Sequence, residues 1–306
     1  MKTKNLLLLF VLLCSGLLLN AQSLNIATYN IRNDANSDDV KNGNGWQQRL
    51  PYICDLIEYH DFDIFGTQEG LHHQLEQMKT ELPYLDYIGI GRDDGKQAGE
   101  YSAIFYKKDK FELLDSGNFW LSENTTEPNM GWDAVCIRIC SWGKFKVKSS
   151  GKEFLFFNLH TDHIGVIARR EGAKLVLNKI KELAGDIPTV LTGDFNVDQN
   201  DESYALLNTS GLLRDSYELS PVKYANNGTF NAFDTNLKTD SRIDHIFVTK
   251  NFDVSRYAIL PDVYWSPLPE SNEVIKSGNF PQEVSLHKYR SRVPSDHYPV
   301  IIKVDL

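Results

Sequence analysis

The chain has 306 residues and is 42% hydrophobic, 24% charged and 11% aromatic, a globular composition with enough apolar material for a substantial core. Its formal net charge is −9, so its overall field repels polyanions. That disfavours a protein built to grip long nucleic acid, which normally carries a basic face.

Met1-Lys2-Thr3-Lys4 is basic, Leu6 to Leu19 is almost wholly apolar, and Leu19-Asn20-Ala21 ends on the small residue that a cleavage site needs. This order predicts a secretory signal peptide over residues 1–21 and one domain over 22–306, secreted or periplasmic. The apolar run is shorter than the ~20 residues of a membrane span. A lipoprotein anchored through Cys14 is disfavoured, because Leu13 directly before it makes a poor lipobox. No later apolar run is long enough to cross a membrane. Cleavage removes Lys2 and Lys4 from 32 basic side chains, leaving 30 against 41 acidic ones and a formal charge of −11. Three cysteines remain: Cys54, Cys136 and Cys140. Cys136 and Cys140, four apart in an expected strand, have α-carbons roughly 13 Å apart, too far for a bridge. All three read as small core residues.

Strand-like and helix-like segments then alternate without linker or repeat. Strands are expected at Leu24–Ile31, Asp63–Thr67, Tyr87–Gly91, Ser102–Tyr106, Phe111–Trp120, Ala134–Val147, Glu153–His160 and Pro188–Thr192. Later ones are expected at Arg242–Thr249, Tyr257–Leu260 and Tyr298–Val304. Helical stripes run through Leu50, Ile53, Cys54 and Ile57, and through Leu71, Leu75, Met78 and Leu82. A long helix over Ile167–Leu183 carries Leu175, Val176, Lys179 and Ile180 on one side, and a short helix spans Ser203–Leu207. Many strands with few helices suggest two packed sheets flanked by helices.

The polar residues fall at the strand ends. Asn30, Gln68-Glu69, Asn158-Leu159-His160, Gly193-Asp194-Phe195-Asn196, Arg242-Ile243-Asp244-His245 and Ser295-Asp296-His297 each follow or flank an apolar run. One such case is a turn; six suggest a single site at one edge of the sheets. Carboxylate and amide oxygens suit a hard cation, Mg²⁺, Mn²⁺ or Ca²⁺. Two histidines beside them suit attack on a phosphoryl group, one taking a proton and one neutralising developing charge. The short-spaced Cys/His cluster of a zinc site is missing.

In this order, Asn30, Glu69, His160, the Gly193–Asn196 motif, Asp244 and the Ser295–His297 motif resemble the endonuclease/exonuclease/phosphatase (DNase I-like) superfamily, from about Leu24 to Leu306. The resemblance implies a four-layer α/β sandwich, two packed mixed β-sheets flanked by helices, with the site where the sheets' loops meet. It also implies roles. Glu69, Asn30 and Asp296 would hold the metal, and Asp194 would orient or deprotonate the attacking water. Asn196 would hold the phosphate, with Asp194 and Asn196 pointing the same way along an extended backbone. His297 and Asp244 would pair beside the scissile phosphate, and His160 would stabilise the transition state. The expected activity is a metal-dependent phosphoesterase.

Several neighbours carry two readings. Glu100 is a candidate partner of His160. Asp162 and His163 either extend the site or cap the helix near Gly165; Trp46 and Arg49 either line the cleft or start the first helix, and Trp132-Asp133 is similar. His245 should face away from Asp244. Arg290 and Arg292, beside Lys288 and just before the last motif, are candidate phosphate-binding cations. The segments between motifs are mixed or acidic, as at Asn33–Asp39, which favours a small phosphorylated substrate such as a sugar, inositol or lipid head-group phosphate. A secreted nuclease is the alternative, and a non-catalytic binding protein is disfavoured by the complete polar set.

Overall fold

A computed structural model describes residues 23–276 and 278–306; the expected signal peptide and Cys14 lie outside them. The chain runs β1 (Leu24–Asn30), α1 (Ser37–Lys41), α2 (Trp46–Tyr59), β2 (Ile64–Gln68), α3 (His72–Glu81), β3 (Leu85–Ile88), β4 (Ile104–Lys107) and β5 (Phe111–Trp120). It continues through β6 (Ile139–Val147), β7 (Glu153–His160), α4 (Val166–Ala184), β8 (Thr189–Asp194), α5 (Glu202–Asn208), β9 (Arg214–Asp215), α6 (Ser216–Leu219) and β10 (Val222–Tyr224). The last elements are β11 (Asp244–Val248), β12 (Asp253–Ile259), β13 (Tyr264–Pro267), a 3-10 turn (Pro269–Asn272), β14 (Tyr289–Arg292) and β15 (Val300–Asp305). One sheet has the order β10-β12-β15-β1-β2-β4-β3 and the other β5-β6-β7-β8-β11-β9, with β13-β14 as a separate ribbon.

Side-chain alternation along the strands builds the layers. Successive residues point to opposite faces. In β1, β2, β7, β8, β11 and β15 the even-numbered residues face the other sheet: Leu24, Ile26, Ile64, Phe154, Phe156, Val190, Ile246, Val248, Val300, Ile302 and Val304 form one core. Odd-numbered residues face helices. Ala27, Tyr29 and Phe65 meet α2 and α3 through Ile53, Ile57, Leu75 and Met78. Leu155, Phe157, Leu191 and Phe247 meet α4 and α5 through Val176, Ile180, Tyr204 and Leu207. The result is the expected helix–sheet–sheet–helix sandwich. Both strand faces are buried, so these segments read as nearly continuous apolar runs.

The same alternation turns polar at one end. Thr28, Gln68, Asn158 and Thr192 continue the inter-sheet rows, where Gln68 Nε2 donates to Asn158 Oδ1 (2.7 Å) and to Thr28 Oγ1 (3.0 Å). Asn158 Nδ2 donates to the carbonyls of Thr67 and Ala103, both at 2.8 Å. Gly66 leaves room for this amide; a Cβ there would overlap the Asn158 side chain. Register then aligns the next residues. Asn30 lies opposite Gln68, His160 opposite Asp194, and Asp244 opposite Asp194.

Three sequence expectations change. The strand expected from Ala134 starts only at Ile139, because the Asp162 carboxylate takes the Val135 and Cys136 N–H groups at 3.0 and 3.1 Å and offers that backbone an alternative to a ladder. Cys136 is accordingly half-buried in a loop rather than a core residue, while Cys54 and Cys140 are buried and all three thiols are free. The buried face of α4 runs through Ala173, Val176, Leu177 and Ile180, with Leu175 and Lys179 at its margin. The acidic α1 and the β13-β14 ribbon carry no apolar stripe and were not expected.

Candidate active site

The C-terminal ends of β1, β2, β7 and β8 and the start of β11 converge with the Ser295–His297 loop on one pocket of about 350 Å³. Arg32, Glu69, Glu100, His160, Asp194, Asn196, Asp296 and His297 line it, with Asp244 buried behind His297. Every candidate catalytic and metal residue named from the sequence is therefore brought to one place. Arg32, Glu69 and Asn196 all adopt the left-handed backbone region, with φ of 56°, 64° and 48°. Non-glycine residues there carry strain, which concentrates at functional sites.

Asp194 is the hub. Its Oδ2 accepts from Asn30 Nδ2 at 3.0 Å and lies 3.5 Å from His160 Nε2 and 3.7 Å from His297 Nε2. Its Oδ1 accepts from the Asn196 N–H at 2.9 Å. That turn corrects one expectation: Asn196 is not on an extended backbone, yet its amide still reaches the pocket and meets His160 Nε2 at 3.0 Å and the Thr161 carbonyl at 3.1 Å. With the amide donating to Nε2, the ring proton of His160 sits on Nδ1. His297 Nδ1 is 2.9 Å from Asp244 Oδ2.

Burial and these neighbours separate the protonation states. Burial and the nearby Asp244 charge push the Asp194 carboxyl up to about 7. Burial opposes a charge on His297, but Asp244 and Asp194 outweigh it and hold the imidazole well above its ordinary value. Burial, then Arg138 and Arg92, hold His160 well below it. One histidine is thus kept charged and the other neutral on either side of one carboxylate.

Asn30, Glu69 and Asp296 offer only hard oxygen donors. Asn30 Nδ2 donates to Glu69 Oε1 at 3.0 Å, and Asn33 Nδ2 to Glu69 Oε2 at 3.0 Å. The Arg32 guanidinium stands between the two carboxylates, 3.8 Å from Glu69 Oε2 and 3.6 Å from Asp296 Oδ2. The Glu69 and Asp296 carboxylates with the Asn30 side-chain oxygen make an all-oxygen donor set, which fits a divalent ion such as Mg²⁺. A second close group, Asp194, Asp244 and His297, has ligand atoms within 4.8 Å of one another, but its imidazole is already committed to Asp244.

Other candidates settle into supporting positions. Glu100 Oε2 lies 3.9 Å from His160 Nδ1, too far for a hydrogen bond, and pairs with Arg92 NH1 at 2.5 Å. Asp162 spends both oxygens on the N–H groups of Val135, Cys136, Ile164 and Gly165, while His163 lines the pocket. Asp133 caps α4 through the N–H of Ala168 at 2.7 Å. Trp46 Nε1 ties α2 to α3 through Gln77 at 2.7 Å. Arg49 is fully buried and donates to the carbonyls of Ile31, Arg32, Asn44 and Pro294 at 2.7–3.0 Å, tying the Asn30 and Asp296 loops together. His245 faces the helix side, with Nε2 at 3.1 Å from the Val197 carbonyl.

The Arg290 and Arg292 expectation does not hold in space: neither lines the pocket. Arg292 is spent on Ser266 Oγ, the Asn42 carbonyl and Asn44 Oδ1 at 2.8–2.9 Å, because β14 pairs with β13 and turns it towards the α1 loop. The arginines lining the pocket are Arg32, Arg92 and Arg138. Arg32, two residues beyond Asn30 in the same motif, was findable; Arg92 and Arg138 sit in loops without a sequence signal.

Two packed sheets between helix layers, with a carboxylate and histidine site at one end of the inter-sheet layer, define a DNase I-like phosphoesterase architecture. The chain belongs to the endonuclease/exonuclease/phosphatase family, whose model matches residues 27–297. An endonuclease/exonuclease/phosphatase family protein of Bacteroides thetaiotaomicron is 54% identical, with a TM-score of 0.85 over 92% of this chain and 97% of that one. A mannosyl-6-phosphatase of the same organism is 53% identical, with a TM-score of 0.84 over 92% of this chain and all (100%) of that one. The human Nocturnin catalytic domain, 18% identical with a TM-score of 0.63 over 94% of each chain, shares the fold.

Proposed function

We propose that the chain is a divalent-metal-dependent phosphatase that hydrolyses the phosphate ester of a small sugar, a hexose 6-phosphate of the mannosyl type. The observation that carries this reading is the pocket itself: a space of about 350 Å³ lined by both acidic and basic side chains. Such a space suits one phosphorylated sugar, whose hydroxyls Glu100 and Asn33 can bind. A net charge of −9 opposes a long polyanion. The likeness to the mannosyl-6-phosphatase over nearly the whole chain supports the same substrate class.

Glu69, Asp296 and Asn30 would hold the metal, which supplies Lewis-acid polarisation of a phosphoryl oxygen. Asp194, with its raised carboxyl, takes the proton of the attacking water near neutral pH. Asn196 and the neutral His160 orient the phosphate. The charged His297, fixed by Asp244, lies against Asp194 and offsets negative charge as it develops. Export through the residue 1–21 leader accompanies this reading and is checked by N-terminal sequencing of protein recovered outside the cytoplasm.

The test is a panel with Mg²⁺ or with chelator, comprising mannose 6-phosphate, other sugar phosphates, inositol phosphates, nitrophenyl mono- and diesters, and plasmid DNA. Metal-dependent phosphate release from a sugar phosphate is expected. Efficient plasmid nicking with every small ester untouched would replace this reading with a secreted nuclease.

A further inference from the structure

Arg92 and Arg138 take no part in the chemistry above, yet both reach the same pocket. Arg138 is only 5% exposed. Its loop is fixed where the Leu121 N–H donates to the Arg138 carbonyl at 2.9 Å, and Trp120 Nε1 holds the Arg92 carbonyl at 2.8 Å. These guanidiniums are incompletely satisfied. The Nε of each is buried without a hydrogen-bond partner, and so is His160 Nδ1 beside them. The nearest carboxylate oxygens, Asp93 Oδ1 to Arg92 Nε and Asp162 Oδ2 to Arg138 Nε, stand off at 3.7 and 3.8 Å.

Carboxylates balance the charge on this wall, but hydrogen-bond acceptors are missing from it. Glu100 neutralises Arg92 through the 2.5 Å contact. Asp162, whose oxygens accept from four backbone N–H groups, is the ion-pair partner of Arg138 Nε at 3.8 Å without a hydrogen bond to it, and Arg138 NH2 meets His163 Nδ1 at 3.2 Å. Buried charge is costly unless paired. Here the one carboxylate hydrogen-bonded to either guanidinium is Glu100, already held by Arg92 and Asn33, and three donors stay unfilled. The missing partner is an anion that accepts several hydrogen bonds, and guanidinium forks match phosphate oxygens. His160 links this wall to the scissile position, because its Nε2 meets Asn196 and Asp194 while its Nδ1 faces Glu100.

We infer that Arg92 and Arg138 form an anion-recognition wall that selects a phosphomonoester dianion over a phosphodiester monoanion. The additional terminal oxygen of a monoester accepts from the unfilled guanidinium donors; a diester places a carbon substituent there and offers one acceptor fewer. This inference rests on the phosphatase reading and assigns it two specificity-determining residues.

The test compares nitrophenyl phosphate with bis-nitrophenyl phosphate in wild type, Arg92→Gln, Arg138→Gln and Arg138→Lys. Each lost charge-assisted contact is worth roughly ten- to a hundredfold in binding. The monoester-to-diester ratio of kcat/KM should therefore fall by about that factor in the glutamine variants, mainly through KM of the monoester. Arg138→Lys, which keeps the charge but loses the fork, should fall between. Equal losses on both esters, or an unchanged ratio, would overturn the inference. A second measurement needs no variant: on the wild-type protein, inorganic phosphate should bind at least ~10-fold more tightly than dimethyl phosphate by calorimetry, and equal affinities would overturn the proposal. That binding result stands apart from turnover. A wild-type protein that binds phosphate in this way but hydrolyses no monoester would refute the phosphatase reading and leave the anion wall in place.

Discussion

Asp244→Asn probes the site through a single contact. His297 Nδ1 and Asp244 Oδ2 are 2.9 Å apart and both residues are buried, His297 at 5% and Asp244 at 0% exposure. The substitution keeps the shape but removes the charge that first offsets the burial of the imidazolium. A hydrogen bond to a charged group contributes about 1.5–3 kcal/mol, which corresponds to roughly one to two pH units. The sign follows from the direction of the shift. The histidine is raised above its ordinary value, so its charged form is fully present at lower pH and is lost as pH rises through the raised value. In Asp244→Asn the charged form should be lost at lower pH. The alkaline limb of kcat/KM should thus move down by about one to two pH units, and the stability that the pair contributes below that limb should disappear with it. The assay is a pH–rate profile for wild type, Asp244→Asn, His297→Ala and the double variant. The double variant should be little worse than His297→Ala alone, because the two residues act as a unit. An unmoved alkaline limb, or losses that multiply, would refute the pairing.

Three further outcomes are expected. Glu69→Gln should lower turnover by roughly 10²-fold or more while unfolding cooperatively near the wild-type temperature; near-normal turnover at limiting Mg²⁺ would remove Glu69 from the metal site. Arg49→Met should leave the carbonyls of Ile31, Arg32, Asn44 and Pro294 without their shared donor, costing about 3 kcal/mol or more and lowering the melting temperature by roughly 6–12 °C; an unchanged melting curve would contradict its role as the tie between the two loops. Arg290→Gln should leave KM for a small monoester within about twofold, since the side chain is outside the pocket; a tenfold rise would restore it as a substrate contact.

The layers were legible because the relevant strands carry apolar residues on both faces, so Phe154-Leu155-Phe156-Phe157 and Thr189-Val190-Leu191 stand out as runs bounded by polar ends. Those same ends revealed the site, since Asn30, His160 and Asp194 continue the inter-sheet alternation past the last apolar residue. The reading failed where side chains, rather than periodicity, decide the backbone. Asp162 draws Val135 and Cys136 out of a strand, and the turn onto Asp194 gives Asn196 a positive φ. It also failed where proximity in sequence stood in for proximity in space. Arg290 and Arg292 precede the Ser295–His297 motif but belong to a ribbon that leaves the pocket, whereas Arg92 and Arg138 reach it from β-sheet loops remote in sequence from every motif.

The central claim is that the Asp194 site hydrolyses a small sugar phosphate. The most direct measurement is inorganic phosphate released from mannose 6-phosphate with Mg²⁺ at physiological salt, by wild type and by Asp194→Asn. Steady release by the wild type is expected, abolished by chelator and reduced by about 10³-fold or more in the variant. A wild-type protein that releases no phosphate from mannose 6-phosphate or any other sugar phosphate, or a variant that releases it undiminished, would contradict it.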